Sequence, residues 1–142
     1  MRIAAKNYDL DSLEAIKNFA VNYIKLLPNI PYKAYGANFI WLMKADASES
    51  IPTRNININE SSDLIKVLSG HELSYGYIIK AKRSPYLLKL IVEPQEKNSL
   101  TINFNYHHEI TGKGDKLSKY ISNYRGLLDY SQIIVNSISE GG

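Results

Sequence analysis

Apolar and polar residues alternate along the second half of the chain, most regularly between residues 100 and 110. Every even position there carries a side chain suited to a buried face: Leu100, Ile102, Phe104, Tyr106, His108 and Ile110. A period of two is typical of a β-strand that buries one face. The segment before it repeats the pattern, with Leu88, Leu90 and Val92 opposed to Lys89 and Glu93. Polar residues 94–99, beginning with a proline that ends the pairing, separate the two segments, so the sequence predicts a central β-hairpin.

Three other segments also alternate and predict strands. Residues 32–45 place Tyr35, Phe39 and Trp41 on one face but Ile40 and Leu42 on the other. Apolar groups on both faces indicate a strand that is either covered on both sides or in contact with another chain. Residues 75–83 predict the strand that precedes the hairpin, and residues 54–59 predict a short strand.

Helical periodicity occurs at both ends of the chain. Residues 11–27 repeat apolar side chains at spacings of three and four, begin with a capping pair of Asp11 and Glu14, and stop before Pro28. A cap at residues 61–63 predicts a short helix that ends near Gly70. A long C-terminal helix follows Asp115, and Gly126 predicts a kink within it.

This order of elements predicts one α+β domain over residues 1–142. Consecutive strands with short polar connections favour an antiparallel meander of about five strands. The two amphipathic helices, one N-terminal and one long and C-terminal, are expected to pack on one face of that sheet.

Composition agrees with a single intracellular domain. The chain has 142 residues, of which 44% are hydrophobic, and it has no cysteine. We expect a cytoplasmic protein without a membrane partner, because no apolar run approaches the ~20 residues of a transmembrane helix and the N-terminus is too polar for a signal peptide. The eleven tyrosines, against three phenylalanines and one tryptophan, suit half-buried positions and interfaces.

Four short segments have a familiar pattern, namely residues 31–39 (PYKAYGANF), 92–94 (VEP), 102–108 (INFNYHH) and 127–131 (LLDYS). Together they resemble a group of uncharacterised proteins of bacteria and phages. The resemblance extends over most of the chain from the first helix onward. It rests on scaffold residues, so it implies a shared fold and no particular reaction.

The polar face of the last strand is one candidate binding surface. It carries Thr101, Asn103, Asn105, His107 and Glu109. Asparagine is disfavoured in strands, so a partner that bonds to these amides is one explanation, and a solvated sheet face is the other. His107 and Glu109 could both ligate a metal, but a third ligand is needed and only His71 or Glu93 could supply it. His108 has the register of a hydrogen-bonded core residue.

Basic and aromatic residues of the neighbouring strands form a second candidate surface: Lys80, Lys82, Arg83, Tyr86 and Lys89. Lysine and tyrosine together suit single-stranded nucleic acid, although lysines also keep an outer strand soluble. The net charge of +3 is small for a dedicated nucleic-acid-binding domain. Neither a phosphate-binding P-loop nor a G-x-S-x-G elbow is present.

The sequence therefore assigns no catalytic residue, metal or cofactor, and it favours a binding role over an enzymatic one. Our leading hypothesis is a binding or assembly protein that acts through its sheet face and forms a homo-oligomer. The alternatives are a nucleic-acid-binding protein that uses the Lys80–Lys89 region and a metal-dependent enzyme that uses His107 and Glu109.

Overall fold

Helices flank a run of strands, in an α+β arrangement. The computed structural model describes residues 9–44, 61–95, 99–110 and 114–139. In chain order the elements are α1 (Leu10–Leu26), β1 (Ala34–Lys44), α2 (Asp63–Val67), β2 (Tyr77–Arg83), β3 (Tyr86–Gln95), β4 (Ser99–Glu109), α3 (Gly114–Ser122) and α4 (Tyr124–Ser139). Within these ranges, none of the helices has the length and apolar character needed to cross a bilayer.

The strands form one antiparallel sheet in the order β1-β4-β3-β2. Strands β2, β3 and β4 follow one another as the predicted meander, and the predicted hairpin, β3–β4, occupies its centre. Strand β1 pairs with β4 without a break from Ala34 opposite Glu109 to Lys44 opposite Ser99. The sheet has four strands in the described part of the chain, where the sequence predicted about five. The predicted strand over residues 54–59 lies outside the described residues.

Pro94 does not end β3, contrary to the prediction. The strand continues to Gln95, and Pro94 is paired with Leu100 of β4. Strand β2 begins at Tyr77, opposite Val92, so the pairing between β2 and β3 does not reach Pro94. A proline is tolerated there because the N–H that it lacks is not needed by a second strand.

The main core lies between the sheet and α4. Phe39, Ile102 and Phe104 are essentially inaccessible to solvent, and they pack in one cluster with residues of α4. The contributing side chains of α4 are Leu127, Val135 and Ile138. The predicted faces of β1 and β4 are therefore confirmed, since the even positions of β4 and the odd positions of β1 point toward the helix.

Helix α1 packs differently from the prediction that both terminal helices cover the sheet. Its residues Ala20 and Ile24 join Leu117 and Ile121 of α3 in a second cluster, around Ile110 at the end of β4. Helix α4 is thus the main cover of the sheet, and α1 is buried against α3. The helix also begins earlier than predicted, since its N-cap is Asp9, whose carboxylate accepts from the Ser12 N–H at 2.8 Å.

Two helices replace the single long C-terminal helix that was predicted. The helix is interrupted at Asn123, whose N–H donates to the carbonyl of Tyr120, three residues back, at 3.1 Å. A bond to the third residue tightens the last turn and ends α3. The Asn123 carbonyl then accepts from the Leu127 N–H at 3.3 Å, in the first turn of α4. The sequence predicted an interruption at Gly126, and the structure has it three positions earlier.

Candidate functional site

The sheet face opposite α4 is not covered by any helix in the described ranges. We call it the open face. Strand registry arranges its side chains in rows across the four strands, and the central row runs from β1 to β2 through Ile40, Asn103, Ile91 and Ile78. The next row runs in the same direction through Asn38, Asn105, Lys89 and Lys80.

Apolar side chains are exposed on this face. Ile40 and Ile78 are 55% and 59% accessible, and Ile91 between them is half-buried. Leu42 adds to the apolar surface in an adjacent row, and Leu87 is exposed two rows away, beyond Lys89. Single exposed apolar residues are ordinary, but a connected group on one side of a sheet is typical of an interaction surface.

Like charges face each other in the row beside this apolar group. Lys80 of β2 is directly opposite Lys89 of β3, and the two side chains share the open face. Like charges in opposite positions of a strand pair destabilise the sheet. Neither lysine has an ion-pair partner in the described part of the chain, where the ion pairs are Lys17–Glu14 and Lys66–Asp63. An acidic group from outside the chain would compensate this repulsion.

All five candidate residues of the last strand, Thr101 included, lie on the open face. Asn103 and His107 are half-buried, whereas Asn105 and Glu109 are exposed. The Asn105 side-chain amide donates to the side-chain carbonyl of Asn38, so one of the asparagines pairs across the sheet. Within the described residues, no three histidine, aspartate or glutamate side chains lie close enough together to hold a metal ion.

The second candidate surface is divided between the two faces of the sheet. Lys80 and Lys82 project from the open face, as Lys89 does. Tyr86 and Arg83 are paired on the opposite face, where the Tyr86 ring packs edge-on against Tyr106. Three of the four positive charges therefore lie on the face opposite the Tyr86 ring, which disfavours a mode of binding that combines phosphate contacts along the lysines with base stacking.

His108 is a core residue, as its register predicted. It is buried, and its Nδ1 bonds to the carbonyl of Pro85 in the β2–β3 turn. Its ring packs against that of Tyr120 from α3, with 4.0 Å between centroids. The side chain thus ties the β2–β3 turn to β4 and to the C-terminal helices.

Sequence reasoning missed part of the open face. Strands β2 and β3 have apolar residues on both faces, because their otherwise polar face also carries Ile78, Leu87 and Ile91. Apolar side chains on both faces were interpreted as an interaction surface for β1. The same pattern in β2 and β3 would have predicted that the apolar surface extends across the sheet.

Comparison with known proteins adds no assignment, since no protein family, curated protein or solved structure matches the chain. The resemblance to uncharacterised bacterial and phage proteins therefore stays a prediction.

Proposed function

We propose that this is a binding or assembly protein whose open face pairs with the same face of a second copy. The observation that carries the proposal is the combination of exposed isoleucines in the central row with a pair of adjacent lysines that has no ion-pair partner among the described residues. Burial against a partner removes apolar surface from water, which favours association by about 25 cal/mol for each Å² of apolar surface buried.

The charge pattern supports a second copy as the partner. Along β3, the open face presents Lys89, Ile91 and Glu93 at successive positions. A two-fold axis that crosses the strands at Ile91, in the plane of the interface, lays β3 antiparallel on its copy. Lys89 then faces Glu93 of the second copy, and the reverse contact forms by symmetry. Such an isologous interface satisfies both charges and stacks the isoleucine rows.

The area of the face predicts a weak dimer. Four strands of up to eleven residues give a surface on the order of 20 Å by 35 Å. This is slightly below the ~800 Å² per partner of a standard interface. We therefore expect a dimer that forms at high protein concentration and dissociates on dilution.

The division of the basic and aromatic residues between two faces favours this function over nucleic-acid binding. Base stacking requires exposed rings near the cations, but Tyr86 lies on the face opposite Lys80, Lys82 and Lys89. The open-face row that carries Lys80 and Lys89 otherwise holds asparagines, and the central row is apolar except for Asn103.

Sedimentation equilibrium over a range of protein concentrations tests the proposal. Ile78→Asp places a charge in the central row, and we expect it to weaken self-association by at least about tenfold, because an unpaired carboxylate would be buried. Ile133→Asp is the matched control, because Ile133 is 62% exposed on α4, away from the sheet face. A protein that is monomeric at the highest concentration, or equal effects of the two substitutions, would contradict the proposal.

A further inference from the structure

A groove of about 290 Å³ lies on the helix-facing side of the sheet, away from the open face. It runs between the β2–β3 hairpin and the beginning of α4. Ala81 and Leu88 form its sheet wall, Gly126 and Leu127 form its helix wall, and Tyr86 and Tyr130 contribute aromatic rings. Its volume is at the small end of the range for ligand sites, which fits a molecule of one ring.

Arg83 is the charged group of this groove. No aspartate or glutamate is among the described residues that line it, and Arg83 has no carboxylate partner in the described part of the chain. The guanidinium lies over the ring of Tyr130, 5.2 Å from its centroid. This cation–π contact holds the planar guanidinium at the groove, where its paired donors match a carboxylate.

A second donor is provided by Tyr86. The side-chain amide of Asn123 donates to the Tyr86 hydroxyl oxygen at 3.4 Å, so the hydroxyl hydrogen is left to donate to another group. The third tyrosine of the groove is different, because the Tyr106 hydroxyl is already bonded to Ser131 at 2.7 Å. Arg83 and the Tyr86 hydroxyl thus offer a ligand a cation and a hydrogen-bond donor, which both favour an anion.

Gly126 keeps the helix wall of the groove open. A Cβ at this position would lie 2.7 Å from Oδ1 of Asn123, so an alanine would both occupy the groove and displace the amide that bonds to Tyr86. The glycine has no conformational role that requires it here, since it lies inside α4. Its lack of a side chain leaves the space of the groove beside Asn123 open.

We propose that this groove binds a small organic anion that consists of one aromatic ring and a carboxylate. The ring lies between Tyr86 and Tyr130, against Leu88 and Gly126, and the carboxylate accepts from Arg83 and from the Tyr86 hydroxyl. A single guanidinium matches the single charge of a carboxylate, whereas a phosphate dianion would keep part of its charge uncompensated. This site is separate from the proposed dimer surface and does not depend on it.

Titration of the ¹⁵N-labelled protein with phenylacetate tests the ligand class. We expect affinity on the order of millimolar, as befits a ligand of about ten non-hydrogen atoms, with amide shift changes at Ala81, Gly126 and Tyr130. Phenylacetamide, which lacks the charge, and acetate, which lacks the ring, should each bind at least about tenfold more weakly. Equal binding of phenylacetamide, or shift changes confined to other parts of the protein, would overturn the assignment.

Two variants locate the site. Arg83→Gln should weaken phenylacetate binding by at least about tenfold, and Gly126→Ala should weaken it while α4 stays folded, because alanine is a better helix former than glycine. Arg125→Gln is the matched control, since Arg125 is an exposed arginine of the same helix outside the groove. If Arg83→Gln and Arg125→Gln have the same effect, binding is a response to overall charge and the proposal fails.

Discussion

Two buried tyrosine hydroxyls on the helix-facing side of the sheet differ in their hydrogen bonding. Ser131 donates its hydroxyl hydrogen to the Leu127 carbonyl at 2.8 Å, so the hydroxyl of Tyr106 must be the donor in its 2.7 Å bond to Ser131. The Tyr35 hydroxyl is buried without a partner in the described structure. Burial raises the pKa of both phenols above the ordinary value of 10, because it penalises the phenolate.

Replacing each tyrosine with phenylalanine separates these two situations. Tyr106→Phe should lower the free energy of unfolding by about 1 kcal/mol, since it removes a buried hydrogen bond. Tyr35→Phe should leave the free energy of unfolding unchanged or raise it by up to ~1 kcal/mol, since a desolvated hydroxyl without a partner is lost. Urea denaturation of both variants measures the difference. A loss in Tyr35→Phe as large as that in Tyr106→Phe would show that the Tyr35 hydroxyl is bonded.

The raised pKa of Tyr35 also predicts how stability changes in alkali. Its folded pKa lies above its unfolded pKa, so the neutral phenol contributes stability below pH 10 that is lost as the pH rises through the folded pKa. Above pH 10 the unfolded chain binds fewer protons than the folded one, and the free energy of unfolding therefore falls. Tyr35→Phe should reduce this fall, by at most about 1.4 kcal/mol per pH unit. Urea denaturation at about pH 9 and about pH 11 measures it, and identical slopes for both proteins would contradict the prediction.

At the scale of elements, two glycines differ in what a side chain at their position would contact. Gly76 precedes β2, where a Cβ would lie 2.5 Å from the carbonyl oxygen of Val92 in β3. Gly126 lies in α4, where the nearest atom to a Cβ belongs to the side chain of Asn123. A backbone carbonyl within a sheet cannot move away independently, whereas an exposed side-chain amide can rotate. Two similarly short distances, 2.5 Å at Gly76 and 2.7 Å at Gly126, therefore have different consequences in the two elements.

Alanine at these two positions should have opposite effects. Gly76→Ala should lower the free energy of unfolding by about 1–3 kcal/mol, because β2 and β3 must separate to admit the methyl group. Gly126→Ala should be neutral or stabilising by up to ~1 kcal/mol, through helix propensity. Thermal unfolding of the pair measures both. Comparable destabilisation by both substitutions would mean that the amide of Asn123 is held as firmly as the backbone of β3.

At the scale of the whole molecule, the division of the sheet into a covered and an open face determines where function can lie. Helix α4 covers one face, and α1 is buried against α3, so neither contributes to the other side of the sheet. The exposed isoleucines, the paired lysines and Glu93 are consequently left together on one surface. In the proposed dimer, a second copy with the reversed strand direction places its Glu93 against Lys89.

Charge exchange on β3 tests that symmetric pairing. Lys89→Glu should weaken self-association, because it brings Glu93 of the second copy against a like charge, and Glu93→Lys should do the same. The double substitution restores opposite charges across the two-fold axis and should recover most of the affinity of the unmodified protein. Sedimentation equilibrium of the three variants at low salt measures this, with Lys17→Glu as a control on α1. Additive losses in the double variant would rule out the proposed register.

The sequence predicted the four described strands because alternation is a local property of adjacent residues. Leu100 to Ile110 could be assigned to one buried face with no knowledge of what covers it, and the buried positions of β4 follow that pattern. The extent of β3 was not predictable in the same way, because Pro94 is acceptable within the strand only where the pairing with β2 does not reach it. The break between α3 and α4 lies at Asn123 and not at Gly126, where the sequence predicted it. A glycine indicates where a helix is weak, but it does not indicate which backbone N–H, here that of Asn123 to the Tyr120 carbonyl, ends the helix.

The sequence by itself determined which residues share a face of each strand, that the two hairpin strands are central, and that His108 belongs to the core. All of these follow from periods of two and of three to four residues, which depend only on the geometry of the local chain. Only the tertiary structure decided which predicted site residues share a surface, because registry between strands joins positions far apart in sequence. Registry placed Lys80 beside Lys89 on the open face, and it sent Arg83 and Tyr86 to a groove whose other wall is a helix some forty residues further along the chain.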